Sequence, residues 1–106
     1  MGQKEIKITW TKAARADLRK IHSFVAEKSE SAAFKQVAKI LEKTKILKAG
    51  YLEANQREEL LKIKSSEYRY LVQDHYKIIY RIMPNEAVIA AVFDTRQNPD
   101  KLPKKV

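Results

Sequence analysis

Apolar and polar positions alternate through residues 76–82, where Tyr76, Ile78, Tyr80 and Ile82 are interleaved with Lys77, Ile79 and Arg81. Side chains point to opposite faces in turn along a strand, so this spacing predicts a β-strand with one core face and one partly charged face. Residues 68–72 repeat the scheme, with Tyr68, Tyr70 and Val72 inward and Arg69 and Leu71 outward. A three-residue turn over Gln73, Asp74 and His75 has the parity that puts both aromatic sets on one face of the hairpin, whereas a two-residue turn puts them on opposite faces. The odd loop is the expectation, because it alone gives a single consistent core. Pro84, Asn85 and Glu86 form a turn, and the unbroken apolar run 87–93 supplies the last strand. Three short strands carrying Arg and Lys at these intervals are expected to gather the charges on one sheet face, which suits an anionic partner.

Upstream, Ile6, Ile8 and Trp10 alternate well enough to predict a first strand over residues 5–10. Thr11 is placed to cap a helix that Ala14, Leu18, Ile21 and Val25 carry from Lys12 to about Lys28. Ser29, Glu30 and Ser31 interrupt it. Ser31 then caps a second helix with Phe34, Val37, Leu41 and Thr44 on one stripe, Ala33, Ile40 and Leu47 beside it, and Gly50 as the stop. So short a connection makes an antiparallel helical hairpin. Residues 51–67 read as a loop, and the chain past Asp94 has too little apolar content to be more than a tail, flexible from about residue 97. The expected fold class is therefore α+β: an N-terminal strand, an α-helical hairpin and a three-stranded antiparallel meander, with the helices packed on one sheet face. The whole chain, 1–106, reads as one domain.

Composition narrows the chemistry. The chain of 106 residues has no cysteine, which removes thiolate catalysis and cysteine-based zinc sites and is compatible with a reducing compartment. No signal-peptide pattern is present, and the apolar run 87–93 is far too short to span a bilayer, so a cytoplasmic protein without a membrane partner is expected. With 22 Lys and Arg against 13 Asp and Glu, the net charge of +9 favours nucleic acid, a ribosome or an acidic protein as partner. No metal or cofactor is expected.

Trp10 followed by Ala14, Asp17, Leu18 and Ile21, then the hairpin residues 68–71 and 76–82, then Val92-Phe93-Asp94-Thr95-Arg96-Gln97-Asn98-Pro99, resembles the RelE/ParE superfamily of toxins from type II toxin–antitoxin modules. The resemblance covers the chain from about Ile6 to Leu102. It implies a small toxin held inactive by a cognate antitoxin whose acidic and apolar C-terminal segment wraps over it, either as a homodimer or within a toxin–antitoxin hetero-oligomer. The RelE branch cuts messenger RNA on the ribosome without a metal, and the ParE branch poisons DNA gyrase without a known hydrolytic site.

Metal-free RNA cleavage needs a base for the 2′-OH, an acid for the leaving oxygen and cations around the phosphate. Carried across by position, the resemblance puts Arg69 and Leu71 where the RelE pattern has two lysines. Lys77 stands for the hairpin Arg and Arg96 for the last-strand Arg, and no ionisable ring falls near Leu102. Charge-stabilising members are kept and proton-transfer members are not, since Arg stays protonated and Leu cannot titrate. The expectation is a ParE-like toxin that inhibits gyrase by binding and is not an enzyme, with Arg69, Lys77, Arg81 and Arg96 contacting the target or the antitoxin. The alternatives are a ribosome-dependent endoribonuclease using Arg69, Lys77 and Arg96, or an inactive toxin-like binding module.

Blander roles stand beside these. Arg69, Lys77 and Arg81 suit the polar side of a half-buried sheet equally well, and the resemblance is what tips them towards binding. Arg96 has Asp94 and Asp100 as near partners. His75 is expected as a solvated turn residue rather than a substitute base, His22 as packing or surface at a stripe's edge, and Lys62 and Lys64 as solvated charges. Trp10 and the tyrosines at 68, 70, 76 and 80 read as core.

Overall fold

The computed structural model describes residues 6–49 and 68–96. Four strands, β1 (Lys7–Trp10), β2 (Tyr68–Gln73), β3 (Tyr76–Met83) and β4 (Glu86–Asp94), form one sheet in the order β1-β4-β3-β2. The meander β2-β3-β4 is antiparallel, and β1 pairs with β4 in parallel. Between β1 and β2 lie α1 (Lys12–Ala26), α2 (Glu30–Thr44) and a 3-10 turn, Lys45–Ala49. This is the expected α+β architecture. The expectations for residues 51–67 and for the tail from 97, with Gly50, Lys62, Lys64, Asp100 and Leu102, lie outside the described residues.

Thr11 couples β1, β4 and α1. Its amide donates to the Ile89 carbonyl at 3.1 Å, its hydroxyl lies 3.0 Å and 3.3 Å from the Ile89 and Ala90 carbonyls, and its Oγ1 accepts from the Ala14 amide at 3.0 Å. The cap is therefore also the joint that sets α1 on the sheet. The second cap is Ser29, which accepts from the Ala32 amide at 3.2 Å, and not Ser31. The interruption is correspondingly shorter than expected, since α2 already begins at Glu30.

The buried row of α2 and its continuation is Ala33, Ile40, Thr44 and Leu47, whereas Phe34 and Leu41 are 65% and 40% exposed. Both rows have helical spacing and differ by one residue, about 100° of rotation. The row with the small residue won, because Ala33 and Ala14, both fully buried, allow backbone approach that a phenyl ring blocks.

The hairpin between β2 and β3 corrects the expected parity. Gln73 pairs with Tyr76, so the loop is the two residues Asp74 and His75, with Asp74 at φ 57°. Asp tolerates the left-handed region better than most residues, which makes the tight turn accessible. In consequence Leu71, not Tyr68 or Tyr70, joins Tyr76, Ile78 and Tyr80 in the main core under the helices, with Ala14, Ile40, Leu47, Ala87, Ile89 and Val92. Tyr68 and Tyr70 turn to the other face, where Ile79, Ala90, Ala91 and Phe93 form a second buried cluster. The sheet thus carries two apolar faces, not one apolar and one charged. A register shift between Ile79 and Tyr80 leaves Ala90 without a partner on β3, a bulge that adds this alanine to the second cluster.

Candidate functional site: the sheet face away from the helices

The same register decides where the four expected site cations go. Lys77, Ile79 and Arg81 alternate along β3 onto the face away from the helices, opposite Val72, Tyr70 and Tyr68 of β2. Lys77 and Arg81, four residues apart, are separated by about 13 Å of strand rise. The Lys77 ammonium sits over the Tyr70 ring, 4.3 Å from its centroid, a cation–π contact that orients the amine over the second cluster. Arg81 stands opposite Tyr68, half-buried.

Arg69 is not part of this face. It pairs with Tyr80, whose ring is fully buried on the helix side, so Arg69 points to the helix side as well and its Nη1 donates to the Tyr68 carbonyl at 3.2 Å. The expectation of one cationic face bearing Arg69, Lys77 and Arg81 fails for Arg69, because the two-residue loop reversed the parity of β2 against β3.

Arg96 lies elsewhere again, past the end of β4. Its amide and Nε donate to Asp94 Oδ1 at 2.9 Å and 3.1 Å, and its Nη2 donates to Oδ2 at 3.0 Å. This two-pronged grip holds the Asp94 carboxyl below the usual carboxylate range, against a smaller opposing push from burial. The Arg96 guanidinium moves up in turn through its bond to Asp94. Of the four cations, then, two share the outward sheet face, one lies on the helix side, and one is clamped at the sheet end.

Among the described residues the histidines and the Leu71 position do not present a titrating group to these cations. Leu71 is 3% exposed inside the main core. The ring of His75 lies 4.3 Å from that of Tyr76, tilted by 39°, and its Nε2 is buried with no hydrogen-bond partner. A nitrogen so enclosed does not face an incoming hydroxyl. His75 serves the turn through its carbonyl, which accepts from the Thr95 amide at 2.9 Å and the Thr95 hydroxyl at 2.7 Å. Burial, with Asp94 adding to it, pushes the Tyr76 phenol up and away from neutral pH. His22 meets Phe34 edge-on at 5.2 Å and lies 3.9 Å from Glu30 at the helical surface. Among the described residues no three His, Asp or Glu side chains stand close enough to share an ion.

Two residues matter more than their sequence signal suggested. Asp17 on α1 accepts from the Val92 amide at 2.9 Å, taking over the edge of β4 where β1 has ended at Trp10. Burial pushes its carboxyl up, partly offset by that bond and by Lys20. Asp74 accepts from Gln36 at 3.2 Å and from Gln73 at 3.3 Å, tying the β2–β3 turn to α2. The Gln36 bond is the first cause holding its carboxyl down.

With this geometry in place, the comparisons with known proteins are unambiguous at the level of family. The model for the ParE toxin of the type II toxin–antitoxin system, parDE, matches residues 8–99, and the chain belongs to that family. In fold it is similar to the chromosomal ParDE toxin–antitoxin system of P. aeruginosa, with 23% identity, 83% of this chain and 94% of that chain covered, and a TM-score of 0.68. It is also similar to the RelBE2 toxin–antitoxin complex of Mycobacterium tuberculosis, with 18% identity, coverage of 88% and 94%, and a TM-score of 0.61. A search of curated proteins returned no significant match. No described helix is long and apolar enough to cross a membrane.

Proposed function

We propose that this toxin is neutralised by a cognate antitoxin in the cytoplasm and, once released, inhibits DNA gyrase by binding it rather than by cleaving RNA. The observation that carries the reading is the environment of Leu71. At the position where the resemblance to the RelE branch implies a lysine, this chain has an aliphatic side chain packed under the helices. The dispersal of the cations supports the same reading, since Arg69, the pair Lys77 and Arg81, and Arg96 do not converge on one phosphate.

The surface best suited to a protein partner is the outward sheet face. The ammonium of Lys77 stands over the Tyr70 ring, Arg81 is paired across the strands with Tyr68, and Phe93 lies beside Lys77 on β4. Aromatic and cationic side chains together are what protein interfaces favour, and an acidic, apolar antitoxin segment complements them.

Induction of the toxin in cells lacking antitoxin separates the mechanisms, with plasmid supercoiling and ribosome-bound mRNA followed in parallel. Growth arrest with relaxed plasmids and intact mRNA is expected. Growth arrest with mRNA cut on ribosomes and normal supercoiling contradicts the reading, and unimpaired growth with both normal points to an inactive binding module.

A further inference from the structure

The excess positive charge is not where the strand pattern drew attention. Residues 6–49 carry 11 Lys and Arg against four Asp and Glu, whereas residues 68–96 carry four against three. The helical layer, not the sheet, is the basic surface of the described molecule. Within it, Lys35, Lys39 and Lys43 recur every four residues along α2, and Lys45 follows at its end. Helical rise spaces successive members of this row by about 6 Å, on the scale of adjacent phosphates along a nucleic-acid strand. Lys39, Lys43 and Lys45 line an open groove of about 490 Å³ between α2 and the end of β2, with Glu42, Ile46 and Gln73 as the other walls.

From this row we infer that the lysine flank of α2 binds the sugar–phosphate backbone of duplex DNA, a contact separate from the sheet face assigned to protein partners. The charge already present does not block it. Lys45 is 3.3 Å from Glu42 and Lys39 is 4.0 Å from Asp74, and both lysine side chains are about 60% exposed. Such exposed pairs are weak and exchange readily for phosphate. Among the described residues no carboxylate pairs with Lys35 or Lys43.

Chemistry favours this occupant over the others a basic surface attracts. An acidic protein segment needs apolar anchors, yet Ile46 is the one large apolar side chain among the groove's lining residues. Single-stranded RNA is held by aromatic rings on which bases stack. The exposed rings point away: Phe34 turns to His22 of α1, and Phe24 lies across α1 against the Tyr76 and Asp94 end of the sheet. What remains is a regular, straight, polar row of point charges, which matches a regular backbone and carries no base-reading group.

The test is binding of a fluorescent duplex oligonucleotide by the full chain across a salt series. Two variants of equal net charge are compared, Lys39→Gln with Lys43→Gln on the ridge, and, as control, Lys12→Gln at the start of α1 with Lys28→Gln in the turn between the helices. All four lysines are at least partly exposed, and matched far-UV spectra and melting temperatures establish that both variants fold. The inference predicts that the ridge variant binds at least about tenfold more weakly at low salt and that its slope of log affinity against log salt is shallower by about two, while the control stays within about twofold of wild type. Equal losses in both variants, no salt-dependent binding of the wild type, or displacement of the duplex by single-stranded RNA or polyglutamate at the same charge concentration overturns it. Gyrase inhibition by the sheet face is read in a separate assay and does not depend on this outcome.

Discussion

A lysine installed at position 71 is a direct probe of the residue-level account. Leu71 is 3% exposed among Ile78, Tyr80 and the helices, so Leu71→Lys buries an amine with no counter-charge instead of supplying a base to the surface. Stability should fall by several kcal/mol, at the upper end of single-residue effects, and no RNA-cleaving activity should appear. Urea unfolding followed through Trp10, the single tryptophan, measures the first, and incubation with programmed ribosomes the second. Asp17 gives a test with a sign. Its folded pKa lies above the ordinary value, so its contribution is fully present below about pH 4 and is lost as pH rises through the raised folded pKa. Asp17→Asn keeps an acceptor for the Val92 amide and should remove that pH dependence, leaving stability at neutral pH equal or slightly higher. Asp17→Ala leaves the amide without its acceptor and should cost about 1–3 kcal/mol at every pH. Sequence alone could not grade these roles. Asp17 stands out in the sequence only as part of a motif, and the alternation of β2 puts Leu71 outward only in combination with a three-residue loop, which the Gln73–Tyr76 pairing excludes. Arg96, by contrast, was expected beside Asp94 from spacing alone, and it is there.

Elements were legible where the pattern was one-sided and illegible where two patterns competed. The strands β3 and β4 fall within about a residue of their expected limits, because an alternating set and an unbroken apolar run each have one reading. For β2 both faces are apolar, Tyr68 and Tyr70 on one and Leu71 on the other, so only the loop length chose between them. The turn Asp74-His75 lacks the glycine that usually marks a two-residue hairpin, and a left-handed aspartate did its work. The parallel pairing of β1 with β4 was not legible, since alternation says nothing about which neighbour a strand takes. In α2 two apolar rows offset by one residue gave the helix but not its buried side. The cap was similarly ambiguous, and a pair of substitutions resolves it: Ser29→Ala should cost about 1 kcal/mol by loss of the bond to the Ala32 amide, and Ser31→Ala less than about 0.5 kcal/mol, in the same unfolding measurement.

At the scale of the molecule, the sheet separates two surfaces that the chain's charge pattern had run together. One face carries Lys77 and Arg81 alongside Tyr70 and Tyr68, and the helical layer carries most of the net charge. Antitoxin binding should register that division. Lys77→Glu and Arg81→Glu are expected to weaken the complex and flatten its salt dependence, while Arg69→Glu, on the other side of β2, should leave the salt slope nearly unchanged, as read by calorimetry at several ionic strengths. The same separation underlies the functional reading, because cations spread over three places hold a partner but do not surround one reacting phosphate. Purified gyrase supercoiling relaxed plasmid, titrated with the purified toxin, tests that reading most directly. Supercoiling should stop at toxin concentrations that leave ribosome-bound mRNA intact; undiminished supercoiling at concentrations that cut that mRNA would contradict it.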